Sequence, residues 1–332
     1  MTYSEIINNL KKQIYHPVYL LTGEESYYID LLTDFFELNI LNETEREFNL
    51  HILYGKDTNI SAVLSNCRRY PMMASHVVLI VREAQDIGSF EGLDLYLENP
   101  PKSTILVLCY KNKKFDLRTK AGKKIKEKGV FFNSPKIYDN KIPDWITAYL
   151  KERSFSISPK IGLLLSEYLG NNLRKIANEL DKMLLNLKSG SEINEDTIER
   201  HIGISKDYNI FELQDAIAEN NILKTNMIVN YFIANLKENP LLKIIPILYQ
   251  YFIKIMKLHQ LADKSPQSIA SALGVSPFFT KDYIKAAKNL SFQKLAENIS
   301  IMREYDMRIK GIDNESTSEG ELMKEMIYKI MH

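Results

Sequence analysis

A glycine-containing turn that carries a β-strand into a helix is where many nucleotide-binding folds cradle phosphate, because the free amides and positive dipole end of the helix face the anion. The chain has such a turn at Thr22-Gly23-Glu24-Glu25-Ser26, between a strand-like run Pro17–Thr22 and a helical pattern Ser26–Asn39. The chemistry the turn would need is missing. A phosphate loop reads G-x-x-x-x-G-K-[ST], whereas this one has Gly23 alone, no lysine, and Glu24 and Glu25 at the helix start. A carboxylate there occupies the amides that would hold a phosphate. Two like charges ~4 Å apart repel by roughly 4 kcal/mol at an effective dielectric of about 20. The pairs Gly55-Lys56 and Gly122-Lys123 lack both the upstream glycine and the following Ser or Thr.

The magnesium-binding acid of such folds follows a buried apolar strand. Here Val77–Val81 is followed by Arg82, a cation, and then Glu83, which reads as an exposed strand end. Gly23, Glu24, Glu25 and Arg82 therefore mark a degenerate nucleotide site. No other catalytic constellation is present: there is no G-x-S-x-G elbow, and Cys67 and Cys109 fall in a helix and a buried strand. The six histidines are scattered singly, away from metal-ligand spacing. The expectation is a non-catalytic protein with no cofactor and no metal.

The elements around that turn follow from hydropathy. Five strand-like runs, Pro17–Thr22, Glu47–Tyr54, Val77–Val81, Thr104–Tyr110 and Val130–Asn133, alternate with helical patterns at Ser26–Asn39, Ile60–Tyr70, Phe90–Leu97 and Arg118–Lys128. This is a doubly wound parallel sheet. Beyond Asn140 the strand signal vanishes, helix starts are announced by Ser158-Pro159 and Asn194, and Asn239-Pro240 and Lys264-Ser265-Pro266 mark turns between helices. The fold class is α/β plus all-α, divided at 1–140, 141–208 and 209–332. With 45% hydrophobic and 26% charged residues the chain is globular. A net charge of +1 supplies no global field for nucleic acid or membrane. Two cysteines, no signal-like start and no uninterrupted apolar span point to the cytoplasm and to no membrane partner.

Three further features stand out. Tyr70-Pro71-Met72-Met73 precedes the third strand, where two methionines read by themselves as core packing. Between positions 111 and 128 nine bases stand against Asp116 and Glu127, among them Lys111, Lys113, Lys114, Lys120, Lys123 and Lys124, a pattern for DNA phosphate or an acidic partner as well as for a solvated helix face. Ile269–Ala287 has helix-turn-helix spacing around Gly274, but few bases are placed to read DNA.

The order of several strings, VYLLTGEESYYID, PMMASHVVLIVREAQ, FDLRTKAGKKIKEKG, IPDWITAYLKERSFSISP, GNNLRKIANELDKMLL, YNIFELQDAIAENN and MREYDMRIKGI, resembles the delta subunit of the bacterial DNA polymerase III clamp loader nearly end to end. The resemblance implies an AAA+-like module without ATPase residues, a small helical lid, and a C-terminal collar holding a hetero-pentamer of clamp-loader subunits around primer-template DNA. It further implies that an apolar pair on a helix of the first domain opens the ring-shaped sliding clamp. Met72 and Met73 match that pair, with Tyr70 and Pro71 completing the patch; Met-Met departs from the Leu-Phe or Phe-Phe often found there. ATP would act through neighbouring motor subunits. Two alternatives stay open: a degenerate AAA+ NTPase, which ATP binding by the isolated chain would favour, and a helical nucleic-acid-binding regulator, which sequence-selective binding without partners would favour.

Overall fold

The computed structural model describes residues 1–314 and 316–332. It divides into two compact units, Met1–Tyr138 and Asp139–His332.

The first unit holds strands β1 (Val18–Gly23), β2 (Leu50–Tyr54), β3 (Val77–Arg82), β4 (Thr104–Lys111) and β5 (Val130–Ser134), and helices α1 (Tyr3–Lys11), α2 (Ser26–Asn39), α3 (Glu43–Asn49), α4 (Ile60–Cys67), α5 (Leu93–Tyr96) and α6 (Lys120–Lys128). All five strands are parallel, in the order β2-β3-β4-β1-β5. Because strand side chains alternate between faces, each central strand feeds two cores. Leu20, Leu79, Val81, Leu106 and Leu108 pack with Ile60, Val63 and Cys67 of α4 and Ile125 of α6. Tyr19, Leu21, Val78, Ile80, Ile105 and Val107 pack with Ile6 and Leu10 of α1 and Ile29, Leu32 and Phe36 of α2. Burial on both faces is why β1, β3 and β4 read as continuous apolar runs.

The structure corrects the sequence reading at element ends. The alternation Phe48, Leu50, Ile52, Tyr54 suggested a strand from Glu47, but residues 43–49 form α3, started by a reciprocal capping box between Asn42 and Glu45. The strand begins only at Leu50. Helix α4 stops at Cys67, not Tyr70: Arg68 caps it, and Pro71 disfavours helical backbone at Tyr70. Helix α6 starts at Lys120, not Arg118, behind Thr119 as its cap.

The second unit contains α7 (Ile142–Glu152), α8 (Pro159–Leu169), α9 (Leu173–Leu184), α10 (Glu195–Ile202), α11 (Ile210–Ala218), α12 (Ile222–Ala234), α13 (Leu241–Gln260), α14 (Pro266–Leu273), α15 (Thr280–Asn289), α16 (Phe292–Ile309) and α17 (Glu319–Met331). Where no strand was expected, Ser156–Ile157 (β6) and Glu192–Ile193 (β7) pair in parallel; two residues are too few to show alternation. The stripe Ile244, Leu248, Tyr251, Phe252 and Ile255 of α13 is buried against Met302 and Tyr305 of α16 and Leu322 and Met326 of α17. Among the described residues no helix is long and apolar enough to cross a membrane.

One charge in this unit works against the fold. Burial, with Glu212 and Asp282 nearby, pushes the Asp215 carboxyl of α11 from its ordinary 3.8 up to about 6, Lys160 offsetting part of the effect. An acid raised in the folded state costs nothing while both states are protonated. The cost grows as the unfolded chain ionises above about pH 4 and is complete above about pH 6. Asp215→Asn is therefore expected to stabilise the protein by about 1–2 kcal/mol at pH 7.5 and to leave the melting temperature unchanged at pH 3.5, as thermal melts at the two pH values would show.

Candidate functional site

In open parallel sheets, ligands bind beyond the carboxyl ends of the strands. Here only Glu24 and Glu25 separate β1 from α2, too short a connection to wrap a phosphate. Gly23 has φ +137, and a Cβ on it would lie 2.0 Å from the Ser134 carbonyl oxygen of β5. The glycine is thus required by close strand approach, independently of any ligand. The Glu25 amide donates to Ser134 O at 3.1 Å, and the Glu25 carboxylate accepts from the Tyr27 amide at 2.9 Å. Two donors that a phosphate would use are already engaged.

The same end of the sheet carries ion pairs. Asp30 and Glu37, two turns apart on α2, reach two neighbouring strand ends: Asp30 binds Lys111 Nζ at 2.6 Å, and Glu37 binds Arg82 Nη2 at 2.6 Å. Glu83 lies 3.6 Å from Lys111 Nζ, and the Gln85 side chain accepts the Lys111 amide at 3.0 Å while donating to Glu83. Burial alone would depress Lys111, but Asp30 and Glu83 outweigh it and hold the ammonium above its ordinary range. Glu83 itself adopts a left-handed φ of +52. Its carbonyl lies so close to Gly55 that a Cβ there would be 2.1 Å from it.

Lys111 therefore leaves the group in which the sequence placed it: its ammonium belongs to this network and is no free contact for DNA or a partner. Lys113, Lys114, Lys120 and Lys123 are exposed. They surround a helix whose inner face is Ala121, Gly122 and Ile125. Lys124 is half-buried and pairs with Glu127 at 3.3 Å, and Arg118 forms a fork with Asp116.

The Tyr70–Met73 segment lies in the bend between α4 and β3, not on a helix as the resemblance implied. It is nonetheless presented to solvent: Tyr70 is 90%, Met72 60% and Met73 101% exposed, which corrects the core-packing reading of the two methionines. Pro71 is half-buried. Met73 has a left-handed φ of +52. The Met72 backbone is held on both sides by one side chain, with its amide donating to Asn49 Oδ1 at 2.7 Å and its carbonyl accepting from Asn49 Nδ2 at 2.9 Å. Sequence reading missed Asn49 because it sat inside an apparent strand. It also missed Phe48, which α3 leaves 57% exposed beside Asn49 in the chain.

Elsewhere, Cys67 and Cys109 are buried, and burial pushes their thiols up to about 12 and about 11, which leaves both un-ionised and unreactive. Gly274 ends α14 at φ +63, and Thr280 is buried with its hydroxyl donating to Pro277 O at 2.8 Å, so the helix-turn-helix spacing is a packed turn. A cavity of about 290 Å³ in the second unit, lined by Tyr168, Tyr208, Tyr231, Asn235 and Lys243, includes none of the candidate site residues.

Residues 19–134 match the family model described as DNA polymerase III, delta subunit, and residues 207–326 that described as DNA polymerase III delta subunit, C-terminal domain. DNA polymerase III subunit delta of Bacillus subtilis is 23% identical over 319 residues, covering 92% of this chain and 91% of the relative. The solved Bacillus subtilis DNA clamp loader delta protein superposes with a TM-score of 0.57 at 20% identity, covering 99% of each chain. A five-stranded parallel-sheet unit followed by a largely helical unit is the fold the chain shares with that protein. With matches to the amino-terminal and carboxy-terminal models of one subunit, in order, the chain belongs to the DNA polymerase III delta subunit family, the delta component of the clamp loader.

Proposed function

We propose that this subunit binds the sliding clamp through the Tyr70–Met73 bend and holds one interface of the ring open, without hydrolysing ATP itself. The observation that carries this is the pair of exposed methionines on a backbone fixed by Asn49. Methionine is flexible and polarizable and suits insertion into an apolar pocket, and exposed apolar side chains on an ordered bend favour a partner over water. Opening is then differential binding. Moving a ring from one open in a hundred to one closed in a hundred requires about 5.5 kcal/mol of preference for the open form.

The filled strand ends support the second half of the reading. Lys111 pairs with Asp30 and Glu83, and Arg82 with Glu37, at the strand ends where such folds hold triphosphate and magnesium, and Glu24 and Glu25 add negative charge. Nucleotide acts through neighbouring subunits of a hetero-pentamer in the cytoplasm. Within this chain residues 141–208 serve as the lid and residues 209–332 as the collar. The test is capture of the sliding clamp by the wild-type chain and by a variant lacking both methionine side chains; equal capture would remove the assignment.

The exposed lysines Lys113, Lys114, Lys120 and Lys123 are proposed to face primer-template DNA in the assembled loader. Reversing all four to glutamate is expected to weaken DNA binding by the complex at low salt and to flatten its salt dependence, by about one unit of log–log slope per lysine that contacts phosphate. An unchanged slope would make them an ordinary solvated face.

A further inference from the structure

We propose that Asn49 is the positioning residue of the partner-contacting bend. It makes no contact with the clamp itself, and fixes the direction in which Met72 and Met73 project. The inference rests on the clamp-binding reading given above. Asn49 ends α3 and is 1% exposed. Its carboxamide accepts the Met72 amide at 2.7 Å and donates to the Met72 carbonyl at 2.9 Å and to the Glu45 carbonyl at 2.9 Å. One side chain thus treats Met72 as a neighbouring strand would, pairing donor and acceptor together, and ties the bend back to a helical carbonyl of α3. Aspartate could not donate, serine could not span both groups, and alanine would leave both unpaired.

The bend requires such a device. Met73 holds a left-handed φ although it has a Cβ, a conformation that persists only when its surroundings over-determine it. Its side chain is fully exposed and packs on nothing. Val77, where the ladder of β3 begins, comes four positions later. Between α4 and β3 the described hydrogen bonds to the backbone of Met72 are those of Asn49, joining positions 23 apart in the chain. A bend ordered before binding loses less conformational freedom on association than a loose one, so holding it raises affinity without adding a contact.

The experiment is a double-mutant cycle with an exchange measurement. Affinity for the purified sliding clamp is measured by surface plasmon resonance, well below the melting temperature, for wild type, Asn49→Ala, Met72→Ala/Met73→Ala and the combination. Amide hydrogen exchange is followed at Met72 and along Val78–Val81. Expected is a loss of affinity of about tenfold for Asn49→Ala alone and less than about twofold when the methionines are already absent. Expected also is a Met72 amide protected in wild type and at least about a hundredfold faster in Asn49→Ala, with β3 amides unchanged. Wild-type affinity in Asn49→Ala, or an equal loss in both backgrounds, would overturn the positioning role. Rapid exchange at Met72 in the wild-type chain would overturn it without any variant. If Met72→Ala/Met73→Ala alone binds at full strength, the clamp-site reading fails instead. The exchange data then decide by themselves whether Asn49 orders the bend.

Discussion

Met72→Ser/Met73→Ser is expected to weaken clamp binding by at least about a hundredfold while moving the melting temperature by no more than about 2 °C. The two effects separate because of where the side chains stand. Both methionines are exposed in the free chain, so replacing them leaves no cavity, and exposed substitutions of this kind usually fall within about 0.5 kcal/mol of neutral. On a partner each would fill an apolar pocket, where anchors at the centre of an interface contribute about 2 kcal/mol or more. Titration against immobilised clamp and a thermal melt of the same samples check both halves. A melt lower by many degrees would mean that the methionines pack in the fold, and affinity within twofold of wild type would place the contact elsewhere.

Gly23→Ala is expected to destabilise the chain by about 3–5 kcal/mol, among the larger effects of any single substitution. A Cβ at this position meets the Ser134 backbone oxygen at 2.0 Å, and the φ of +137 is one that residues with a Cβ rarely adopt. Neither strain can be relieved by a side chain turning aside, because Gly23 pairs with Lys111 of β4 and Ser134 of β5 at once. Gly88 is the control: a Cβ there meets nothing within 4 Å, and Gly88→Ala is expected to be near neutral. Denaturant titration of the two variants measures the difference. Equal midpoints would remove the structural account of Gly23 and reopen a ligand role for it.

The layout of the first unit was legible because buried parallel strands leave unbroken apolar runs, and Val77–Val81 and Thr104–Tyr110 could be read in no other way at that length. The amphipathic run Ser26–Asn39 coincides with α2 at both ends. What escaped reading was whatever depended on contacts distant in sequence. Lys111 and Lys113 are nearly adjacent in the chain, yet one ends a strand against Asp30 and the other is solvated, a distinction that periodicity cannot make. Phe48 fitted a strand alternation by chance, while the capping box of Asn42 and Glu45 decided for helix. The bond between Asn49 and Met72 spans 23 positions with no local signature, so the ordered bend was invisible even though its methionines were not.

The paired charges at the strand ends have a kinetic meaning. A pocket that takes up and releases a triphosphate is a timer, since the arrival and departure of the charge divide the molecule's working life into phases. Here Asp30, Glu37, Arg82 and Lys111 are all covalently part of the chain, so the balance they strike is never discharged. In the non-hydrolysing role proposed above, such a subunit would have one setting and no internal clock. On the clamp-binding reading proposed above, any rhythm in its engagement with a ring would have to be imposed from outside, through surfaces shared with neighbours that keep time.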